Sequence, residues 1–151
     1  MIQLLTFDYG LSRTGVAFGQ TLTGSASPLP PLRMRDGQPS WEDIAALIAR
    51  WRPHGVLVGI PLNMDGTGSE MTQRADKFRR RLQGRFGLPA LGWDERLTTR
   101  ELKREAQARG ITDFKRHALD SEAAVLIFRS WAEALTDADH WQTHTLEGPA
   151  N

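Results

Sequence analysis

Six consecutive residues, Gly55-Val-Leu-Val-Gly-Ile60, carry no polar side chain. A strand with one wet face alternates apolar with polar residues. An unbroken apolar run of strand length therefore reads as a strand covered on both faces, as in a parallel sheet. The flanking sequence supplies the helical crossovers that parallel strands need. Upstream, Ser40-Trp-Glu-Asp43 reads as a capping box; Ile44, Leu47, Ile48 and Trp51 follow at helical spacing, and Pro53 stops the helix. Downstream, a loop from Pro61 to Gly68 leads to a helix striped by Met71, Ala75, Phe78 and Leu82, then to a short strand from Pro89 to Trp93.

The N-terminal part reads as a meander. Ile2–Asp8 is a short apolar strand ended by Tyr9-Gly10, Val16–Gly19 is a second, and Thr21–Pro28 is a weaker third, ended by the proline-rich Ser27-Pro-Leu-Pro-Pro31. Beyond Trp93, Thr98-Thr-Arg-Glu101 is a second capping box opening a helix that ends at Gly110. Ala118–Leu135 is the last helix, with Ala124, Ile127, Phe128, Trp131 and Leu135 on one side. The order predicts an α/β fold: a mixed five-stranded sheet, antiparallel in its first three strands and then alternating with helices, covered by helices on both faces. One domain is expected over residues 1–135. The polar segment 136–151, with Gly148-Pro149, is expected to be a flexible tail.

Composition excludes several classes. With 40% hydrophobic and 25% charged residues in 151, the chain is neither disordered throughout nor histone-like. The absence of cysteine excludes disulfides, thiolate metal ligands and a cysteine nucleophile. No apolar run is long enough to span a membrane. Asp8 interrupts the N-terminal apolar run and no basic residue precedes it, so no signal peptide is expected and a cytoplasmic location is. The net charge of +1 hides a segregation. Residues 74–116 hold 13 of the 19 basic residues and 6 of the 18 acidic ones, so this segment carries +7 and the rest −6. An electropositive face for a polyanion is one reading, and a solvated arginine-rich helix face is the other.

Acidic residues recur at the ends of elements. Asp8 ends the first strand, Asp94 and Glu95 end the last strand, and Asp120 and Glu122 open the last helix. Ligands of open α/β sheets bind beyond the carboxyl ends of the strands. Carboxylates gathered there without cysteine suit Mg²⁺ or Mn²⁺. Each acid also has an ordinary reading, as a turn residue at Asp8 or a helix cap at Asp94 and Asp120.

The motifs resemble those of the YqgF/RuvX family. Asp8-Tyr-Gly-Leu-Ser-Arg13-Thr-Gly15-Val-Ala is similar to its D-x-G-x-x-R-x-G-x-A opening. Val58-Gly-Ile-Pro-Leu-Asn63-Met-Asp65-Gly66-Thr, Asp94-Glu95-Arg96-Leu-Thr-Thr, and Lys115-Arg116 with Asp120-Ser-Glu-Ala123-Ala124 resemble its later blocks. The resemblance implies an RNase H-like fold and a bacterial nuclease of pre-16S rRNA 5′-end processing, with Holliday junction resolution as the alternative. It implies Asp8, Glu95 and Asp120 as the catalytic, metal-binding acids around one or two Mg²⁺ or Mn²⁺ ions, with Asp94 as the alternate to Glu95. Neighbours in a strand point to opposite faces, which favours only one of the two, and Glu95 is the choice. Leu11-Ser12 and Thr14 depart from the family's usual residues without removing a carboxylate.

Arg13, Asn63, Arg96, Lys115 and Arg116 are the candidate nucleic-acid contacts. Their ordinary readings are a turn-fixing ion pair for Arg13, a structural ion pair for Arg96, plain loop for Asn63 and surface charge for the last two. Trp93 reads as core or as a platform for a base. Two other classes remain: a binding module without catalysis, and an actin-like ATPase, which needs a second lobe. The expected partner is pre-rRNA or branched DNA, and a monomer and a homodimer both remain open.

Overall fold

The all-apolar segment is a central strand. The computed structural model describes residues 1–96 and 121–145. Its elements are β1 (Gln3–Asp8), β2 (Arg13–Gln20), β3 (Ser25–Arg35), β4 (Gln38–Pro39), α1 (Trp41–Trp51), β5 (Gly55–Ile60), α2 (Glu70–Phe86), β6 (Ala90–Asp94) and α3 (Glu122–Ala134), followed by a 3-10 helix at Ala138–Thr143. The sheet order is β4-β3-β2-β1-β5-β6. β5 pairs in parallel with β1 and β6, and β1 pairs antiparallel with β2. Every residue of β5 is buried. The helix expected to end at Gly110 lies outside the described residues.

The two faces of β5 enter two cores. Val56, Val58 and Ile60 join Leu5, Phe7 and Val16 against Ile44 of α1 and Ala75, Phe78 and Leu82 of α2. Leu57 joins Leu4, Leu91 and Trp93 against Ile127, Phe128 and Trp131 of α3. α1 begins where capping predicts, with Ser40 accepting from the Asp43 N–H (3.3 Å), and α2 opens on a reciprocal capping box of Ser69 and Thr72.

The sheet has six strands rather than five. The sixth follows from Asp36-Gly37, both at positive φ (51° and 81°), which form a two-residue hairpin turn between the paired Arg35 and Gln38. Asp-Gly suits the primed turns that match strand twist. The third strand also runs past its expected end, through Pro28, Pro30 and Pro31 to Arg35. Proline lacks a donor and is tolerated only where the ladder gives way. Here Thr14 pairs with Leu32 and Val16 with Leu29, so Pro30-Pro31 bulge opposite Gly15. The hydroxyl of Ser121 fills the break. It accepts from the Val16 N–H (2.9 Å) and donates to the Leu29 carbonyl. The start of α3 is thereby fastened to the sheet beside the pair Asp8–Gly15.

The segment expected to be a flexible tail is packed over its described part. Trp141 is buried among Leu4, Leu57 and Leu91. Trp131 Nε1–H donates to the His144 carbonyl (2.7 Å), and Thr145 Oγ1 bonds both the N–H and the C=O of Gly92 (3.3 and 2.7 Å). β6 is an edge strand, and this segment covers backbone groups that a bare edge would leave open. The polar composition hides the single anchoring tryptophan.

Two substitutions test these ties. Ser121→Ala leaves the buried Val16 N–H and the part-buried Leu29 C=O unpaired and is expected to destabilise by about 1–3 kcal/mol in denaturant unfolding. Trp141→Ala is expected to lose about 3–5 kcal/mol; a loss under about 1 kcal/mol would mean that the segment does not hold the core.

Candidate active site

Strand alternation sorts the acids by face. In β1, Leu5 and Phe7 face α1 and α2, so Leu4, Thr6 and Asp8 face α3. In β6, Leu91 and Trp93 face α3, so Asp94 turns to the α2 side and Glu95, the next residue, returns to the α3 side. Asp8 and Glu95 meet over Gly59 of β5. The register Phe7–Val58 sets Asp8 beside Gly59, and Gly59 pairs with Trp93. A Cβ on Gly59 would stand 2.9 Å from Glu95 Oε1 and 2.5 Å from Ile127 Cδ1, so only glycine leaves room for the carboxyl group.

The two carboxyl groups are hydrogen-bonded to each other. Burial raises both above the ordinary carboxylate range. At Glu95 the bond to Asp8 and the charges of Asp8 and Asp94 add to the effect of burial, and its pKa lies well above normal. At Asp8 the same bond offsets part of the rise. One proton held between the two carboxyls is therefore favoured over two charged carboxylates side by side. Among the described residues no Lys, Arg or His forms an ion pair with either acid, and no third Asp, Glu, His or Cys completes a metal-binding group with them. Thr6, two residues up the same face, keeps a buried hydroxyl without a hydrogen-bond partner among those residues.

Asp94 has a different task. It is buried, accepts from the Arg96 N–H (2.9 Å), and holds the Arg96 guanidinium through Nε (3.0 Å) and Nη2 (2.6 Å) at Oδ2. Arg96 reaches over the loop after β5, where a Cβ on Gly66 would come within 3.2 Å of its Nη1. In that loop Asn63 directs its amide to Thr67 Oγ1 (2.9 Å) and Gly68 O (3.4 Å). Asp65 accepts from the Thr67 N–H and hydroxyl, which hold its carboxyl below the usual range. Arg13 stands exposed at the start of β2. Trp93 is buried and donates from Nε1 to Ser130 Oγ (2.9 Å), so its ring belongs to the core and is not a base platform. Asp120, Lys115 and Arg116 lie outside the described residues.

Two contributors were not singled out from sequence. Gly59 had a signal, since a glycine inside a strand marks close approach by another group. Ser121 had none: it reads as a helix cap, yet its side chain makes no capping bond.

Residues 2–134 match the family model described as "RuvX: Holliday junction resolvase". The chain belongs to this family. A relative from Pseudomonas putida, named "Putative pre-16S rRNA nuclease", is 50% identical over 135 residues, covering 88% of this chain and 96% of the relative. A relative of the same name from Marinobacter nauticus is 52% identical over 130 residues, covering 85% and 91%. The fold is similar to that of "T. thermophilus RuvC in complex with Holliday junction substrate" (TM-score 0.53, 16% identity, covering 90% of this chain and 99% of that one). This is the expected RNase H-like architecture. Among the described residues no helix is long and apolar enough to cross a membrane.

The raised carboxyls give a pH prediction for the metal-free protein. Their folded pKa values exceed the unfolded ones, so the stability they contribute is full below about pH 4. It is lost as pH rises through the folded values. Glu95→Gln cannot ionise and is expected to melt higher than wild type in EDTA, with a gap that widens from pH 5 to pH 8. Each kcal/mol of ionisation cost corresponds to about 2–4 °C. Parallel melting profiles would contradict the shared proton.

Proposed function

We propose that the chain is a divalent-metal-dependent nuclease that hydrolyses phosphodiester bonds in 5′-end processing of pre-16S rRNA in the cytoplasm. The observation that carries this reading is the meeting of Asp8 and Glu95 over Gly59 at the carboxyl edge of the sheet. Two largely desolvated carboxyls that face each other without a cationic side chain among the described residues have the oxygen donors that suit Mg²⁺ or Mn²⁺. The names of relatives about 50% identical over most of their length support rRNA as the substrate.

Asp8, Glu95 and Asp120 are assigned as the ligands of one or two ions. Asp120 immediately precedes Ser121, whose side chain is fastened to the sheet beside Asp8. A bound divalent ion supplies charge neutralisation at the phosphate and lowers the pKa of water. Both acids would have to be ionised to hold such an ion, and both are raised, so the site would take it better as pH rises. Asp94, held by Arg96, is assigned to orient the end of β6 so that Glu95 faces Asp8. Arg13, Asn63, Arg96, Lys115 and Arg116 are assigned to the substrate backbone.

The family's description favours a second reading, resolution of four-way DNA junctions, for which a symmetric homodimer is the natural form. One experiment separates the two. A labelled precursor rRNA leader and a labelled four-way DNA junction are incubated with Mg²⁺, Mn²⁺ or EDTA. The expected result is metal-dependent cutting of the RNA, with Asp8→Asn slowing it by roughly 10²-fold or more. Preference for the junction would transfer the assignment to resolution, and full activity in Asp8→Asn would refute the metal site.

A further inference from the structure

On the opposite face from the carboxylate pair, the residue after Asp8 opens a second concavity. Tyr9 turns to the α2 side, its ring 5.2 Å from that of Phe78 and its hydroxyl donating to the Gly37 carbonyl (2.8 Å). Tyr9 and Phe78 floor a groove of about 400 Å³ between α2 and the β3–β4 hairpin. Gly37 is fitted closely to it: a Cβ there would stand 2.5 Å from Tyr9 Oη and 3.2 Å from Arg74 Nη1. The hairpin tip is tied to the turn after β1 by the Gly37 N–H to Leu11 carbonyl bond (2.8 Å).

The groove is lined by selected cations of α2. Arg79 and Arg80 are engaged by Asp76 (2.8 and 3.1 Å), and Arg85 lies over the Trp41 ring at 4.2 Å. Arg74, Lys77 and Arg81 line the groove, with Glu70 as its one acid. Among the described residues Arg81 is held in place by neutral partners, Gln38 Oε1 (3.0 Å) and the Trp41 ring (4.9 Å), with no ion-pair partner there, so its charge is ordered. Lys77 is exposed and has no ion-pair partner among the described residues. The bond from Arg74 to Glu70 is an exposed i,i+4 pair, worth only about 0.3–0.5 kcal/mol and easily exchanged. From Arg74 to Arg81 the helix rises roughly 10 Å, enough to follow a short stretch of sugar–phosphate backbone.

We infer that this groove holds the sugar–phosphate backbone of a nucleic-acid strand that passes around the carboxyl edge of the sheet, with Arg74, Lys77 and Arg81 each facing a phosphate. The inference rests on the nuclease reading for its ligand and goes beyond it in placing a flanking strand on the opposite face from the chemistry. Two features favour a nucleic-acid strand over an acidic peptide. The cations recur at helical spacing along one wall, and the groove begins one residue from Asp8.

The test is the salt dependence of binding of a labelled single-stranded RNA, read by fluorescence anisotropy. The comparison is between wild type, Arg74→Gln/Lys77→Gln, and Arg80→Gln as a control of α2 charge outside the groove. The double variant is expected to reduce the slope of log K against log salt by about 1.4, at about 0.7 per lost contact. The control should change it by far less. A slope equal to the control's, in a protein whose wild type still cuts RNA, overturns the groove and leaves the nuclease reading intact. Lost slope in a protein that cuts nothing supports the groove and removes the nuclease reading. Location is read independently, because the chain has no cysteine and Lys77→Cys carries its sole thiol. RNA is expected to slow alkylation of that thiol several-fold, and to leave the thiol of Arg80→Cys unprotected. Equal protection of both, or protection of Lys77→Cys by polyglutamate as strong as by RNA, overturns the inference.

Discussion

A strand without a polar side chain must be dry on both faces, and the rest of this molecule is arranged to meet that condition. β5 has neighbours on both sides to satisfy its backbone and a helical layer on each face to satisfy its side chains. With apolar burial contributing roughly 1.5–3 kcal/mol for each large side chain, Val56, Leu57, Val58 and Ile60 outweigh any local preference of the segments around them. The same strand also serves the site. Gly59 is the one position near its carboxyl end where the α3 face carries no side chain, and the carboxyl group of Glu95 occupies that space.

Placing two acids there is unfavourable for the isolated fold. Desolvation opposes their ionisation and raises both carboxyls above the ordinary range. Packing of the surrounding frame over-determines this strained arrangement. Ile127 closes over Gly59 from α3, and the start of α3 is pinned by Ser121 at the bulge that Pro30-Pro31 force into β3. Prolines that weaken one ladder thus create the backbone vacancy that locates the helix. Stability given up locally at the carboxylates is recovered in the cores on either side, which is the usual relation between a reactive site and its scaffold.

Much of this was legible in the residues, and the gaps have particular causes. β5 could be read directly from its unbroken apolar run, α1 because periodicity and cap agreed, and α2 from its apolar stripe. Strand alternation said that Asp94 and Glu95 point to opposite faces, as they do, while the choice of Glu95 came from the family resemblance. Proline content argued for ending β3 early, but β3 faces only the two-residue β4 on its outer side, where missing donors matter little. The Asp36-Gly37 turn was a readable hairpin signal lying under a change of period. Trp141 could not be recognised from a polar segment, since one apolar residue has no periodicity. The double use of the Ser121 hydroxyl depends on a bulge 92 residues away in sequence, which no local pattern records.

The adjacency of Asp94 and Glu95 shows how one chemical type acquires two functions within two residues. Both are acids at the end of the same strand, and the pleat separates them. Asp94 meets a guanidinium and a backbone N–H and is satisfied within the protein, whereas Glu95 meets another acid. An acid compensated by its own chain has little to offer a cation, and one that is not compensated has its lone pairs and its charge to offer. The pleat repeats this division two strands over, at the end of β1, where Asp8 faces Glu95 on the α3 side and Tyr9, its neighbour, faces the basic groove. At the carboxyl edge of this sheet, consecutive residues at the ends of β1 and β6 are divided between the two faces, and a ligand passing around that edge would meet both.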